Sequence, residues 1–183
     1  MCKETSGLRM DAAVNYWFDK YPWKTKSLHD VENEVKEIVC NLIIEKGVAK
    51  PGAISLIREL EKFNIPIAIC SSSSLKIIKQ VCHKLNIMEA FQVLQTAEEC
   101  IHGKPHPDPY LTTAKRLNIL PSRCVVIEDS LNGTISGKSA GMKVIAVPEE
   151  HNINKTIFDF CDAKFQSLEN VTVEYIVNLI EKK

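Results

Sequence analysis

No apolar run in the 183 residues approaches the roughly 18 that a membrane-spanning helix requires, which excludes a helical span. The opening stretch, MCKETSGLRMDAAVNYW, lacks the continuous apolar core of a secretory signal. Excess charge is missing as well. The 23 Lys plus Arg balance the 23 Asp plus Glu, so no broad positive field exists to hold a polynucleotide, and nucleic acid is excluded as a partner. The seven cysteines are scattered at positions 2, 40, 70, 82, 100, 124 and 161 and form no CxxC pair. An odd set sitting mostly inside apolar patterns reads as reduced thiols, which places the chain in the cytoplasm. Cys100, His102 and His106 fall close together, but they lack a CxxC partner and are broken by Pro105 and Pro107, so zinc is not expected there.

With 45% hydrophobic residues the chain can build a real core. Two grammars divide it. Residues 1–50 read as helical, with Ala13, Val14, Trp17 and Phe18 on one face and Val31, Val35, Ile38, Val39, Leu42 and Ile43 on another. Ser27 is the expected N-cap of the second helix, and helical spacing puts Trp17 in the core of this appendage. Beyond KPGA, where Pro51 and Gly52 mark a boundary, helix and strand alternate.

The spacing predicts a helix over 53–63 with Leu56, Ile57, Leu60 and Phe63 inward, then strand IPIAIC and a helix over 75–85 with Ile78, Val81, Cys82 and Leu85 inward. Strand AFQVLQT, helix PYLTTAKRL, strand CVVIED, helix NGTISGKSAG and strand MKVIAVP follow. Short unbroken apolar strands between amphipathic helices imply a parallel sheet covered on both faces. The expected fold is therefore an α/β, Rossmann-like core over 51–183 with a helical appendage over 1–50, which the resemblance described below implies to be a partial helical cap.

Ligands of such sheets bind beyond the carboxyl ends of the strands. Three small signals fall at that rim: Ser71 to Ser74 after IPIAIC, Lys104 opening KPHPDPY, and Glu128, Asp129 and Ser130 after CVVI. Hydroxyls and free N–H groups where a strand turns into a helix form a phosphate seat, although serine is also a good N-cap. Two neighbouring carboxylates repel unless a cation intervenes. Asp108 before Pro109 has the N-cap and N1 pattern of a helix, and His106 between prolines reads as loop scaffolding. Gly133, Gly137 and Ala140 make a helix thin enough to approach a strand, with Gly141 closing it.

In their order and context, GLRMD, PWK, PGA, the serine run, KPHPDPYL and IEDSLNG resemble the haloacid-dehalogenase-like superfamily. They are most similar to its hexitol- and 2-deoxyglucose-6-phosphate phosphatases and to β-phosphoglucomutase-like proteins. The resemblance implies magnesium-dependent hydrolysis of a small sugar phosphate. It implies Ser71 and Lys104 as catalytic groups, with Ser71, Ser72 and Lys104 holding the phosphate and Ser73 or Ser74 capping the helix. It further implies Asp129 as a direct Mg²⁺ ligand, Glu128 as a water-mediated one, and Arg9 of GLRMD as a cap residue that touches substrate.

One element of that pattern is missing. The superfamily's first strand carries an Asp-x-Asp whose first Asp attacks phosphorus, and no Asp-x-Asp occurs in this chain. The expectation is a core without its first, central strand: an N-terminally truncated phosphatase, inactive as it stands and prone to self-association through exposed sheet edges. The alternative is a non-catalytic pseudophosphatase that binds a phosphometabolite or a protein. The strands near Ile67 and Val126 are expected either to flank a gap or to pair directly, with Ser71, Lys104 and Asp129 grouped at one rim.

Overall fold

A computed structural model describes residues 2–5 and 7–181. The elements are α1 (Met10–Lys20), α2 (Leu28–Lys46), α3 (Ala53–Lys62), β1 (Ala68–Ser71), α4 (Leu75–Leu85), β2 (Val93–Thr96), α5 (Asp108–Leu117), β3 (Val125–Glu128), α6 (Leu131–Ser139), β4 (Lys143–Ala146), β5 (Ala163–Lys164) and α7 (Val173–Glu181). All strand pairs are parallel: β1 with β2, and β3 with β4 with β5. Between β1 and β3 the sheet is interrupted, giving a two-stranded and a three-stranded piece. Of the two outcomes expected for these strands, the gap is the one observed.

Four helices end in the same way. Asn64, Asn86 and Asn118 adopt φ of 54°, 53° and 55°, and Gly141 adopts 73°. After each, the next N–H reaches back five residues: Ile65 to Leu60 O, Ile87 to Cys82 O, Ile119 to Ala114 O and Met142 to Gly137 O, all at 3.0–3.1 Å. This left-handed terminal turn satisfies carbonyls the helix would leave bare and drops an apolar residue back onto its last turn. Each helix is thereby turned towards its next connection.

Alternation along the strands builds two apolar layers. Ile127 and Ile145 pack with Leu56, Leu60, Ile176 and Leu179 of α3 and α7, while Val126 and Val144 pack with Tyr110, Ala114 and Ala140 on the α5–α6 side. A third cluster joins Ile78, Cys82 and Ile87 to Ile69 and Leu94, placing α4 on the α3 side. Gly137 allows α6 to press on the sheet, since a Cβ there would lie 2.9 Å from Val144 Cγ2.

At the start of α2, Ser27 accepts from the Asp30 N–H and Asp30 bonds back, a complete capping box. The expected faces need correction in detail. Ile38 and Leu42 are 57% and 45% exposed because they lie off the stripe by which α2 packs, and Phe63 is 59% exposed because it stands past the end of α3 as its C-cap. Asp108 is the first helical residue of α5 rather than its N-cap; Pro107 holds that place, and the Asp108 carboxylate accepts from the His102 N–H. Six of the seven cysteines are free; the Cys2 side chain lies outside the described residues.

Candidate functional site

The carboxyl ends of β1 and β3 open onto a cavity of about 480 Å³, lined by Gly7, Lys50, Ser71 to Ser73, Lys104 and Glu128 to Ser130, among others. The chain thus brings together Ser71, Ser72, Lys104, Glu128 and Asp129. Arg9 does not line this cavity. Its guanidinium is held by Asp11 at 2.8 Å and donates to Cys100 O at 3.4 Å, joining the start of α1 to the 100–103 loop.

Each serine of the run has a distinct job. Ser71 Oγ accepts from the Ser73 N–H at 3.1 Å, and Ser72 Oγ donates to Gly7 O at 2.9 Å. The Ser73 carbonyl accepts from Thr96 Oγ1, which ties the turn to β2. Ser74 caps α4 by accepting from the Ile77 N–H. Of the two serines open as caps on sequence, Ser74 is the one used.

Lys104 lies beneath the cavity with its side chain 4% exposed. All three ammonium hydrogens have acceptors: Cys70 O at 2.9 Å, Tyr110 Oη at 2.9 Å and Glu128 Oε1 at 2.5 Å. Tyr110 donates its own proton to Glu128 Oε1 at 2.6 Å. Burial and the adjacent Glu128 charge push the Tyr110 phenol well above its ordinary value, so it remains a donor. Glu128 Oε2 accepts from Ser130 Oγ at 3.1 Å. Burial alone would raise the Glu128 carboxyl, but the Lys104 charge and the hydrogen bonds from Lys104, Tyr110 and Ser130 hold it below the usual range.

Asp129 is arranged differently. Half exposed, it meets Lys50 Nζ at 3.1 Å, and Lys50 also reaches Glu149 at 2.7 Å. Among the described residues no group of three or more His, Cys, Asp or Glu converges as a closed metal cage. The donors nonetheless suit a hard cation that keeps waters and phosphate oxygens and takes one or two carboxylates. Asp129 has the accessible oxygens, whereas both Glu128 oxygens are engaged.

Lys50 and Tyr110 were not singled out from the sequence. Lys50 lies 79 positions from its partner Asp129, and only the fold brings them together. Tyr110, directly after Pro109 in the first turn of α5, carried a weak signal in its place next to the KPHPDP run.

A family model described as haloacid dehalogenase-like hydrolase matches residues 9–141. The chain belongs to that family. It is 32% identical over 171 residues to hexitol phosphatase B of Escherichia coli strain K12, covering 93% of this chain and 77% of that one. The structure resembles β-phosphoglucomutase from Clostridium difficile with a TM-score of 0.81 at 27% identity, covering 97% of this chain and 79% of the other. CbbY from Rhodobacter sphaeroides, solved in complex with phosphate, shares the fold with a TM-score of 0.84 at 23% identity, over 95% and 80% of the two chains.

Proposed function

We propose that this chain carries the phosphate- and magnesium-binding part of a sugar-phosphate phosphatase, with residues 1–50 as a helical cap over a core of residues 51–183. The observation that carries this reading is the convergence of Ser71, Ser72, Lys104 and Asp129 on one rim cavity. A transferring phosphoryl group spreads charge over its equatorial oxygens, so the protein's task is positioning and electrostatic stabilisation. Ser71 Oγ and the Ser72 N–H would hold the oxygens. Lys104, its hydrogens already engaged by Cys70, Tyr110 and Glu128, acts through its charge or by exchanging one of those partners for a phosphate oxygen.

Asp129 would bind Mg²⁺ directly and Glu128 through water, the cation neutralising charge on the phosphate. Lys50 meets Asp129 only at Oδ2, and at 51% and 50% side-chain exposure that pair is weak enough to yield to a cation. The attacking carboxylate is a different matter, because the chain contains no Asp-x-Asp. In this reading the 183 residues bind a hexose or hexitol phosphate without hydrolysing it, as a non-catalytic binder also would. The cytoplasm suits both the free thiols and the substrate class.

Calorimetric titration of the purified chain with sorbitol 6-phosphate and Mg²⁺ tests the reading, with free sorbitol as the control. Binding of the phosphate ester, loss of binding in Asp129→Ala and absence of phosphate release are expected. Failure to bind any phosphomonoester sinks the proposal. Mg²⁺-dependent turnover would show instead that another residue of this chain attacks phosphorus.

A further inference from the structure

We propose that Lys50 is a built-in counter-ion for Asp129: it holds that carboxylate while no cation is bound, retreats onto Glu149 when a divalent cation arrives, and then helps to draw the phosphate group in. The inference rests on the phosphatase reading, since it takes Asp129 as the cation ligand. It deepens that reading by giving the rim an order of binding, cation before phosphate.

Lys50 stands on a fixed base. It belongs to the linker between α2 and α3, and its carbonyl accepts from the Ala53 N–H at 3.1 Å, closing the turn that opens α3. Gly52, at φ of 82°, packs so tightly on the 168–169 backbone that a Cβ there would lie 2.3 Å from Glu169 N. The backbone next to Lys50 is thereby pinned to the core. Movement is left to the side chain, a compact charge on a flexible four-carbon stem.

That ammonium has two carboxylates in reach. Glu149 meets it at 2.7 Å and Asp129 Oδ2 at 3.1 Å, with all three side chains about half exposed. The Val147 N–H donates to Glu128 O at 2.7 Å, so the two acceptors belong to neighbouring strand ends, Asp129 after β3 and Glu149 after β4. Giving up the longer contact leaves the shorter one in place. Lys50 can therefore release Asp129 without becoming an unpaired charge, and exposed ion pairs are weak enough for the exchange to be easy.

The charge at the rim gives the exchange a use. Lys104 and Glu128 cancel as a buried pair. Lys50 shared between Asp129 and Glu149 leaves the rim with a single negative charge, which attracts a divalent cation. Once that cation is bound, the sign reverses, and the rim attracts a phosphate dianion. Without the Lys50 charge the rim would hold a cation more tightly but end neutral, with less pull on phosphate. One side chain thus acts in opposite directions on the two ligands.

Calorimetry with Mg²⁺ alone, and then with inorganic phosphate at saturating Mg²⁺, tests this without any turnover. Lys50→Met should bind Mg²⁺ about two- to fivefold more tightly and, when loaded with Mg²⁺, bind phosphate about two- to fivefold more weakly. Lys50→Arg keeps the charge and should stay within about twofold of the unaltered chain for both ligands. Glu149→Gln removes the place of retreat and should weaken Mg²⁺ binding about two- to fivefold, an effect that should shrink below about twofold when Lys50→Met is also present. A folding defect would weaken both ligands together. Equal Mg²⁺ binding by the unaltered chain and Lys50→Met therefore overturns the inference alone, as does a shift of both ligands in the same direction. Glu149→Gln acting as strongly without Lys50 as with it also overturns the inference, since Glu149 would then act on the cation directly. Binding of Mg²⁺ by neither the unaltered chain nor Lys50→Met is a different result: it removes Asp129 as a cation ligand, and the inference falls with that reading.

Discussion

The Lys104 ammonium and the Glu128 carboxylate meet at 2.5 Å with only 4% and 10% of their side chains exposed, 24 residues apart in sequence. Such a pair is costly to bury and more costly to break. Removing one partner leaves a desolvated charge, whereas replacing both with uncharged side chains of similar size leaves none. Lys104→Met or Glu128→Met alone should therefore destabilise the chain by about 3–5 kcal/mol, and the two together should recover most of that loss. Urea midpoints of the two singles and the double check it. A double variant as unstable as the sum of the singles would show that the pair is not a coupled unit.

Gly133 presses on the same carboxylate. A Cβ there would lie 2.0 Å from Glu128 Cδ, a contact that must displace the Glu128 side chain. Gly141 provides the comparison: it adopts φ of 73° but has no atom within 4 Å of a Cβ position. Gly133→Ala should cost about 1–3 kcal/mol through overpacking and the loss of Lys104 pairing. Gly141→Ala should cost about 1 kcal/mol through backbone strain alone and leave phosphate binding intact. Melting curves and phosphate titration of both variants separate the two effects.

The βα framework was legible from residue 53 onward because its signals are local. The stretch Leu75–Leu85 reads as a helix from its own periodicity, and Asn86 followed by Ile87 ends it; the Leu117–Asn118–Ile119 and Phe63–Asn64–Ile65 runs have the same turn chemistry. β5 was not anticipated, since two residues, Ala163 and Lys164, are too few to show any alternation. The apolar period of Val173, Ile176 and Leu179 in α7 was legible and went unread. At the site, Ser71, Lys104 and Asp129 could be named from strand-end position and motif order. The partners that fix their chemistry, Lys50 and Tyr110, come from other elements, and their sequence positions carry little trace of the contact.

Asp162 gives the fold a defined pH response. Its carboxylate accepts from the Val144 N–H at 2.7 Å and from Lys138 at 2.8 Å, pinning the connection before β5 to β4. Burial would raise this carboxyl, yet those hydrogen bonds and the Lys138 and Lys143 charges hold it below its ordinary 3.8. A depressed carboxylate contributes stability that is fully present above the unfolded value and lost as pH falls through the folded one. The Asp162 contribution should therefore be constant at neutral pH and fade only below about pH 4. Asp162→Asn should lower stability by about 1.5–3 kcal/mol at pH 7 and by less at pH 3. Denaturant titrations at the two pH values measure the difference; an equal loss at both would assign the effect to packing.

Arg9 offers a test between a strut and a substrate contact. Its guanidinium holds Asp11 and reaches Cys100 O, and Gly103 packs so closely on it that a Cβ there would lie 2.9 Å from Arg9 Cδ. These contacts tie the first turn of α1 to the loop that leads to Lys104, so a substituted Arg9 should loosen that loop even without a ligand. The ion pair is partly exposed, at 25% and 46%, and is worth no more than about 1 kcal/mol. Arg9→Ala should accordingly speed amide exchange at residues 100–103 by about three- to fivefold in the ligand-free chain. Arg9→Lys should not restore protection, because a lysine cannot span the Asp11 carboxylate and the Cys100 carbonyl with one planar fork. Unchanged exchange in the ligand-free Arg9→Ala chain, together with weaker sugar-phosphate binding, would instead assign Arg9 to the substrate.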